Sequence, residues 1–485
     1  MEIPQGLKLA AQPGYSERVI LLTREFEMAA KSSAAAYRPE KMIIRLSSIL
    51  PIIDADGRPI ELPTANAFGV FLHEYFHYIH NVSTSVGLAG FINTLEIWRL
   101  LRTTIDENGF SEGHQRLDGA YYEHYRNLYC LFRSIRTVYR PNLKSTGEVT
   151  SIEVSSADIC DNVQSSEHGV LLSLIKCRAK LEISDGSTEF HDIEVGVQEI
   201  MESSAWLLER RYVNSSDPYA ADLPVDVFPY KVVSALAKYV LKNPDHDSIL
   251  ACSLAALHST NPAEALIDIL NIAKNAETTG GNAINDVQAA VNRIVEANHA
   301  QLIKALEDIE GEFCGDSIMA TGVLTITLHA RIALELRRQK PLFEIDFVDL
   351  LAKDGAALDC IMSKVPACNV LQENAGPIGN MKRDFLVSFR QKSDDNVDPE
   401  AGLRVVHAAF DFALRHFSES GFLNTETLSH KSCPFFTTCD LALRKNESDI
   451  CEKKPWESVD WDGWGNNGRC EYAEAISNTR PPSSS

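Results

Sequence analysis

Between Phe68 and Ile79 the chain sets apolar side chains at helical spacing, with Phe68, Phe71, Leu72, Tyr75, Phe76 and Ile79 along one side and His73 and His77 on another. A helix is the regular structure that fits this period, and Pro63 and Thr64 mark its start, with Ala65 to Phe68 as its first turn. The segment FLHEYFHYIHN places three of the chain's 14 histidines within eleven residues. It reads either as a zinc site or as a histidine-rich helix that packs in a core or faces water.

The spacing favours the metal. His73-Glu74-Tyr75-Phe76-His77 is an H-E-x-x-H sequence, and residues four apart on a helix lie about 5 to 6 Å apart on one face. Two imidazoles so placed reach one Zn²⁺ at about 2.0 to 2.1 Å. Glu74, beside the first ligand, then faces the open side of the metal, where it can take a proton from water and hand it to a leaving amine. A chain of this composition holds roughly 0.03 such matches by chance, and this one sits in a helical segment behind a strand-like stretch.

These residues resemble the zincin metallopeptidases, whose active-site helix carries H-E-x-x-H beside a small sheet. HEYFHYIHNV with the following STSVGL is also similar to a group of poorly characterised bacterial cytosolic proteins. The likeness covers the active-site helix and a third-ligand helix. The metzincin pattern of a glycine and then a histidine fails, because Ser83 stands six residues beyond His77 where the histidine is needed. A gluzincin-like site, which takes its third ligand from a glutamate on a later helix, is what the resemblance implies.

Glu202 in VQEIMESSAWLLER is the favoured third ligand, since Ser203, Ser204 and Ala205 let its helix come close to the active-site helix. Glu199, one turn earlier, and Glu96, nineteen residues past His77, are the alternatives; Leu100 stands where the Glu96 pattern needs an acidic companion. The competing reading of Glu202 is a solvated residue, with Glu209 and Arg210 marking a polar side of its helix. His80 lies two turns from His73 and reads as a residue behind the ligands or on the surface. Tyr212 follows the candidate helix and is the nearest tyrosine for oxyanion stabilisation. If Glu202 is the ligand, the 124 residues between it and His77 form an insertion that shapes a substrate cleft.

The rest of the chain bounds the setting. At 485 residues it is long enough for two to four domains, and 45% hydrophobic with 23% charged residues is a globular composition. The expected class is α+β and predominantly helical. A zincin-like domain occupies 1–217 with its insertion at about 100–195, an all-α domain 218–425, a Cys-rich module 426–475 and a disordered tail 476–485. SERVILL, KMIIRLSSILPII, TSIEVSS, KLEISDG and TEFHDIEV read as strands. DADGRPIELP and ENAGPIGN read as turns, and Asn261, Pro262 and Glu264 as a helix start with a capping box.

A net charge of -21 argues against nucleic acid as a partner, and Arg133, Arg136, Arg140 and Lys144 read as a solvated helix face. Without a signal-like start or eighteen uncharged apolar residues in a row, the chain is expected in the cytosol and off the membrane. Eleven cysteines there imply reduced thiols or metal ligands. The last four, Cys433, Cys439, Cys451 and Cys470, are separated by five, eleven and eighteen residues in a segment poor in core. They suit a structural zinc, an iron-sulfur cluster or unligated cysteines.

The reading that joins these features is a zinc-dependent endopeptidase, with His73, His77 and Glu202 holding a catalytic Zn²⁺ and Glu74 as general base. The helical surface would select a protein or peptide substrate or dock a partner. The rival readings are a zincin that hydrolyses something else or nothing, and a helical scaffold.

Overall fold

The first helix, α1 (Ala65–Ser83), starts at Thr64, whose extended backbone ends the preceding chain and whose Oγ1 accepts the Ala67 N–H at 3.1 Å. That bond satisfies one of the donors a helix start leaves open. The computed structural model describes residues 34–480 apart from 40–41, 51–63, 114–116, 139, 145–146, 161–171, 221–224, 314, 316, 355–364, 366–368, 379–380, 389–398 and 468. The SERVILL strand and the DADGRPIELP turn lie outside the described residues.

Every residue of α1 except Asn66 and Val70 is buried. Such a helix is packed on all sides, so its histidines do not form a solvated face. Thr84 ends it, donating to His80 O at 2.7 Å and accepting the Gly87 N–H at 3.1 Å, and α2 (Ser85–Arg102) leaves at once. Gly87 allows this turn: a Cβ there would lie 2.1 Å from His80 O and 2.6 Å from Asn81 Cα. Both are backbone atoms, so no rotamer relieves the clash. Gly87→Ala is expected to cost about 1 to 3 kcal/mol, despite alanine's better helix propensity, read as a lower denaturation midpoint.

Two small sheets flank the helices. Strand β1 (Ala35–Arg38) pairs antiparallel with β2 (Ile43–Leu46), as the KMIIRL run predicts. Beyond α3 (Gly119–Arg136), strands β3 (Val149–Cys160), β4 (Leu174–Ile183) and β5 (Thr188–Val195) form an antiparallel meander. In β4, Ile175, Cys177, Ala179, Leu181 and Ile183 are buried while Lys176, Arg178 and Glu182 face solvent, the period-two pattern of a half-covered sheet. The expected insertion is therefore a helix followed by this meander, and it leads directly into α4 (Val197–Ser216).

Six helices follow, α5 (Val232–Val240), α6 (His246–Ala256), α7 (Pro262–Thr279), α8 (Ala283–Glu312), α9 (Ile318–Gln339) and α10 (Phe343–Lys353). Helix α9 is long and apolar enough to cross a membrane, and here it packs against α1 and α8. Two expectations fail in this region. Asn261 is the N-cap of α7 and Pro262 its first residue, as expected, but the capping box does not form: the Asn261 side chain accepts the Ser173 N–H at 3.1 Å and donates to Glu264 Oε2 at 2.9 Å, tying the approach to β4 onto the helix. Nor is 218–425 all helix: β6 (Asn369–Ile378) lies parallel to β2 with Ile43 opposite Asn369, and β7 (Met381–Ser388) pairs back on β6. Residues 373–378 of the stretch read as the turn ENAGPIGN are instead the end of β6, and 379–380 lie outside the described residues.

Helix α11 (Pro399–His416) packs on α9 and carries the C-terminal residues. There α12 (Ala442–Asn446) and α13 (Ser448–Lys453) are short, and α14 (Glu471–Thr479) is the last helix. The expected disordered tail begins too early, because Thr479 is fully buried and accepts the Trp98 indole N–H at 3.0 Å. Residues 481–485 lie outside the described residues. One cluster of buried apolar side chains runs from Ala34 to Ile476 and takes in α1, α4 and the later helices. The coarse class is thus mixed α+β and mostly helical.

Candidate metal centre

Helix α4 crosses α1 where both present small side chains. A Cβ on Gly69 would lie 2.8 Å from Val213 Cγ2 and 3.1 Å from Glu209 Cγ, and Ser203, Ser204 and Ala205 are all buried. The close approach lets Glu202 reach the histidines of α1. Glu202 Oε2 lies 3.2 Å from His73 Nε2 and 3.2 Å from His77 Nε2, and the two nitrogens are 3.1 Å apart. Tetrahedral ligands about 2.0 to 2.1 Å from a Zn²⁺ stand roughly 3.3 to 3.4 Å from one another. The three atoms therefore surround a point at zinc-ligand distance from each. Among the described residues they are the only group of three metal-ligating side chains drawn together within 4.8 Å.

The atoms behind the ligands are also set. Gln198 Nε2 donates to Glu202 Oε1 at 2.7 Å, leaving Oε2 turned to the histidines. Glu209, seven residues after Glu202 and so on the same face of α4, places Oε2 3.2 Å from His73 Nδ1. A carboxylate on Nδ1 favours the tautomer whose Nε2 carries the lone pair a metal needs. Burial by itself would lower the His73 pKa, but Glu202, Glu209 and Glu74 outweigh it and raise it well above the ordinary value. Burial would likewise raise Glu202, and His77 and His73 hold it well below the carboxylate range. Three carboxylates around two imidazoles make a site that favours a cation, and the donor set of two nitrogens and one oxygen fits zinc.

Glu74 is buried, and its Oε2 accepts the Tyr37 N–H at 2.6 Å. Burial raises its pKa, against the opposing pull of His73 and His77. With His73 it walls a cleft of about 790 Å³, closed by Glu209, Arg210, Tyr230, Pro141, Leu143 and Glu148. Arg140 Nη2 stands 3.9 Å from Asp226 Oδ2 on the cleft wall; with α3 ending at Arg136, Arg140 and Lys144 lie beyond it and do not extend a helix face as expected.

The other sequence-derived candidates sit elsewhere. Glu199 Oε2 accepts the Gly196 N–H at 2.9 Å, closing the start of its own helix, and is wholly buried there. Glu96 pairs with Arg99 and lies 4.0 Å from His124. His80 is no surface residue: it is fully buried, with Nε2 3.2 Å from Glu344 Oε1. Tyr212 packs its ring on Phe68, 5.1 Å between centroids, and is absent from the cleft wall.

Two tyrosines meet the site: Tyr37 stacks on His77 at 6.5 Å, and Tyr230 meets His73 edge-on at 5.6 Å and lines the cleft. Ser203 holds the latter by donating to Tyr230 O at 2.9 Å. Burial, with Glu202 and Glu74 nearby, raises its pKa and keeps the phenol protonated. Glu209 and Arg210, read from sequence as a solvated side, are both buried. The seven-residue step from Glu202 puts Glu209 on the same helix face but does not by itself mark it as a site residue, and nothing near Tyr230 in the sequence points to the site.

For a zinc ion held by His73, His77 and Glu202, Gln198→Ala and Glu209→Gln are each expected to weaken binding by about 10- to 100-fold while leaving those three side chains in place, measured by competition with a chromophoric chelator. No protein-family model, curated protein or solved structure matches the chain.

Proposed function

We propose that the chain is a zinc-dependent endopeptidase of gluzincin type. The observation that carries this reading is the triangle of His73 Nε2, His77 Nε2 and Glu202 Oε2, 3.1 to 3.2 Å on each side, of which His73, together with Glu74, lines a cleft. A zinc ion held there supplies Lewis acidity, polarising a carbonyl and lowering the pKa of a water towards about 7.

The chain's own residues do the rest. Glu74, with Oε2 engaged by Tyr37, uses Oε1 to take the proton of the attacking water and deliver it to the departing amine. Its raised pKa suits this exchange better than that of an ordinary glutamate. Tyr230, kept protonated and placed against His73, offers its O–H to the oxygen on which charge develops. A cleft of about 790 Å³ falls in the range of sites that enclose a sizeable ligand, and its mixture of Val70, Phe228, Arg210 and Asp226 suits a peptide with both apolar and polar side chains.

The first test is metal content and proteolysis together. The purified protein should carry zinc and cleave a denatured protein or peptide library, lose that activity to a chelator and regain it with zinc. His73→Ala/His77→Ala should lose about one zinc per chain together with all cleavage. Full metal content and full activity in that variant would remove the site from the function.

A further inference from the structure

Four thiols outside the catalytic cleft converge from separate pieces of chain. Cys433 and Cys439 flank the 434–438 turn, Cys451 lies in α13, and Cys470 caps α14. None is in a disulfide. All four line one cavity of about 20 Å³, and room for a single water takes about 10 to 15 Å³. One ion fits that volume. An iron-sulfur cluster, which sets several irons and sulfides among its thiolates, needs a larger void.

The surrounding backbone is arranged for sulfur ligands. The Phe435 N–H points at Cys433 Sγ and the Ala473 N–H at Cys470 Sγ, each at 3.4 Å. Amide donors on sulfur favour the thiolate over the thiol. The Cys433 N–H donates to Cys451 O at 2.8 Å and the Lys431 N–H to Lys453 O at 3.2 Å, drawing two of the ligand segments side by side. Cations stand close to the cavity: Arg444 lines it and donates to Cys439 O, while Arg415 holds Lys431 O and Ser432 O at 2.7 Å each. They offset the negative charge that four thiolates leave on a divalent ion. The module itself has helices of five, six and nine residues and no sheet of its own among the described residues, too little regular structure to stand without a staple.

We infer that Cys433, Cys439, Cys451 and Cys470 hold a structural zinc ion that fixes the C-terminal module onto α11. As free thiols the four sulfurs stand wider than a ligated cage, with no three within 4.8 Å of one another; in a tetrahedral site with Zn–S near 2.3 Å they close to roughly 3.8 Å. The ion thus tightens a pocket already formed by the docking contacts of α14 on α11, where Arg404 Nε meets Glu471 Oε1 at 2.8 Å and Tyr472 Oη meets Asp411 Oδ2 at 3.2 Å.

The test uses the full chain in the His73→Ala/His77→Ala background, which separates this site from the proposed catalytic one. About one zinc per chain should remain, and titration with a mercurial should release it as about four thiols react. Cobalt in its place should give the intense thiolate charge-transfer absorption that two histidines and a carboxylate cannot produce. Adding Cys451→Ser/Cys470→Ser should remove the remaining zinc and lower the melting temperature. If those substitutions prevent folding, the mercurial and cobalt results decide alone. No zinc in the histidine variant with its thiols open to Ellman's reagent, iron and sulfide in place of zinc, or two disulfides would each overturn the assignment.

Discussion

Glu74→Gln is expected to keep the zinc content of the unaltered protein and to lose about 10²- to 10⁴-fold in kcat, the usual contribution of a positioned general base. Glutamine has the shape of glutamate, and its carbonyl oxygen can still accept the Tyr37 N–H that Glu74 accepts at 2.6 Å. What the amide cannot do is take a proton from water. The loss should fall on kcat with little change in KM, because the role proposed for Glu74 is on the attacking water and the leaving group and not on the bound peptide. Glu199→Gln is the matching control: that carboxylate only closes the start of α4, through Gly196, so its replacement should leave turnover nearly intact. Equal activity in the Glu74 and Glu199 variants would take Glu74 out of the mechanism, and zinc loss in Glu74→Gln would make it a support of the ligands.

The part of the site carried by local spacing was legible in the sequence. His73 and His77 are bound to one face by the pitch of a helix, and Thr64 is the kind of residue that starts one. Glu202 was found through its neighbours, since Ser203, Ser204 and Ala205 mark where two helices come close. Residues that act through contacts across the fold were not readable in this way. Glu209 looks like any polar helix residue until α1 covers it, and Tyr230 reaches His73 only because Ser203 fastens its backbone to α4. The sheet shows the same division. KMIIRL announces a strand by composition, but its partner β6, in NVLQENAGPI, has glycine, proline and no alternation. What makes it a strand is the exposed backbone of β2, more than 300 positions earlier, which no local pattern records.

The buried charges behind α1 give the largest expected stability effect. Arg337 and Glu344 are both essentially inaccessible and form a two-pronged pair, with Nη1 2.5 Å from Oε2 and Nη2 also on Oε1. The guanidinium also donates to Ser83 Oγ at 2.9 to 3.0 Å and to Pro341 O at 2.7 Å, and lies 4.1 Å over the Phe343 ring. Ser83 is the last residue of α1, and His80 adds the 3.2 Å contact to Glu344 from the same turn. The group thus pins the end of the helix that carries His73 and His77.

Glu344→Gln leaves the Arg337 charge buried without its counterion and should cost about 3 to 5 kcal/mol. That is a large share of the roughly 5 to 15 kcal/mol that holds a typical protein folded. The paired replacement Arg337→Met/Glu344→Leu removes both charges and should cost much less, although Ser83 and Pro341 O lose a donor. The sign with pH follows from the carboxyl. Burial would raise its pKa, but Arg337 and His80 hold it far below the ordinary 4.5, so its stabilisation is complete above that pH and drains away as the pH falls further below it. Denaturant unfolding of the single and paired variants at pH 7, with zinc affinity measured beside it, checks both halves. If Glu344→Gln unfolds no more easily than the paired variant, the pair does not anchor α1.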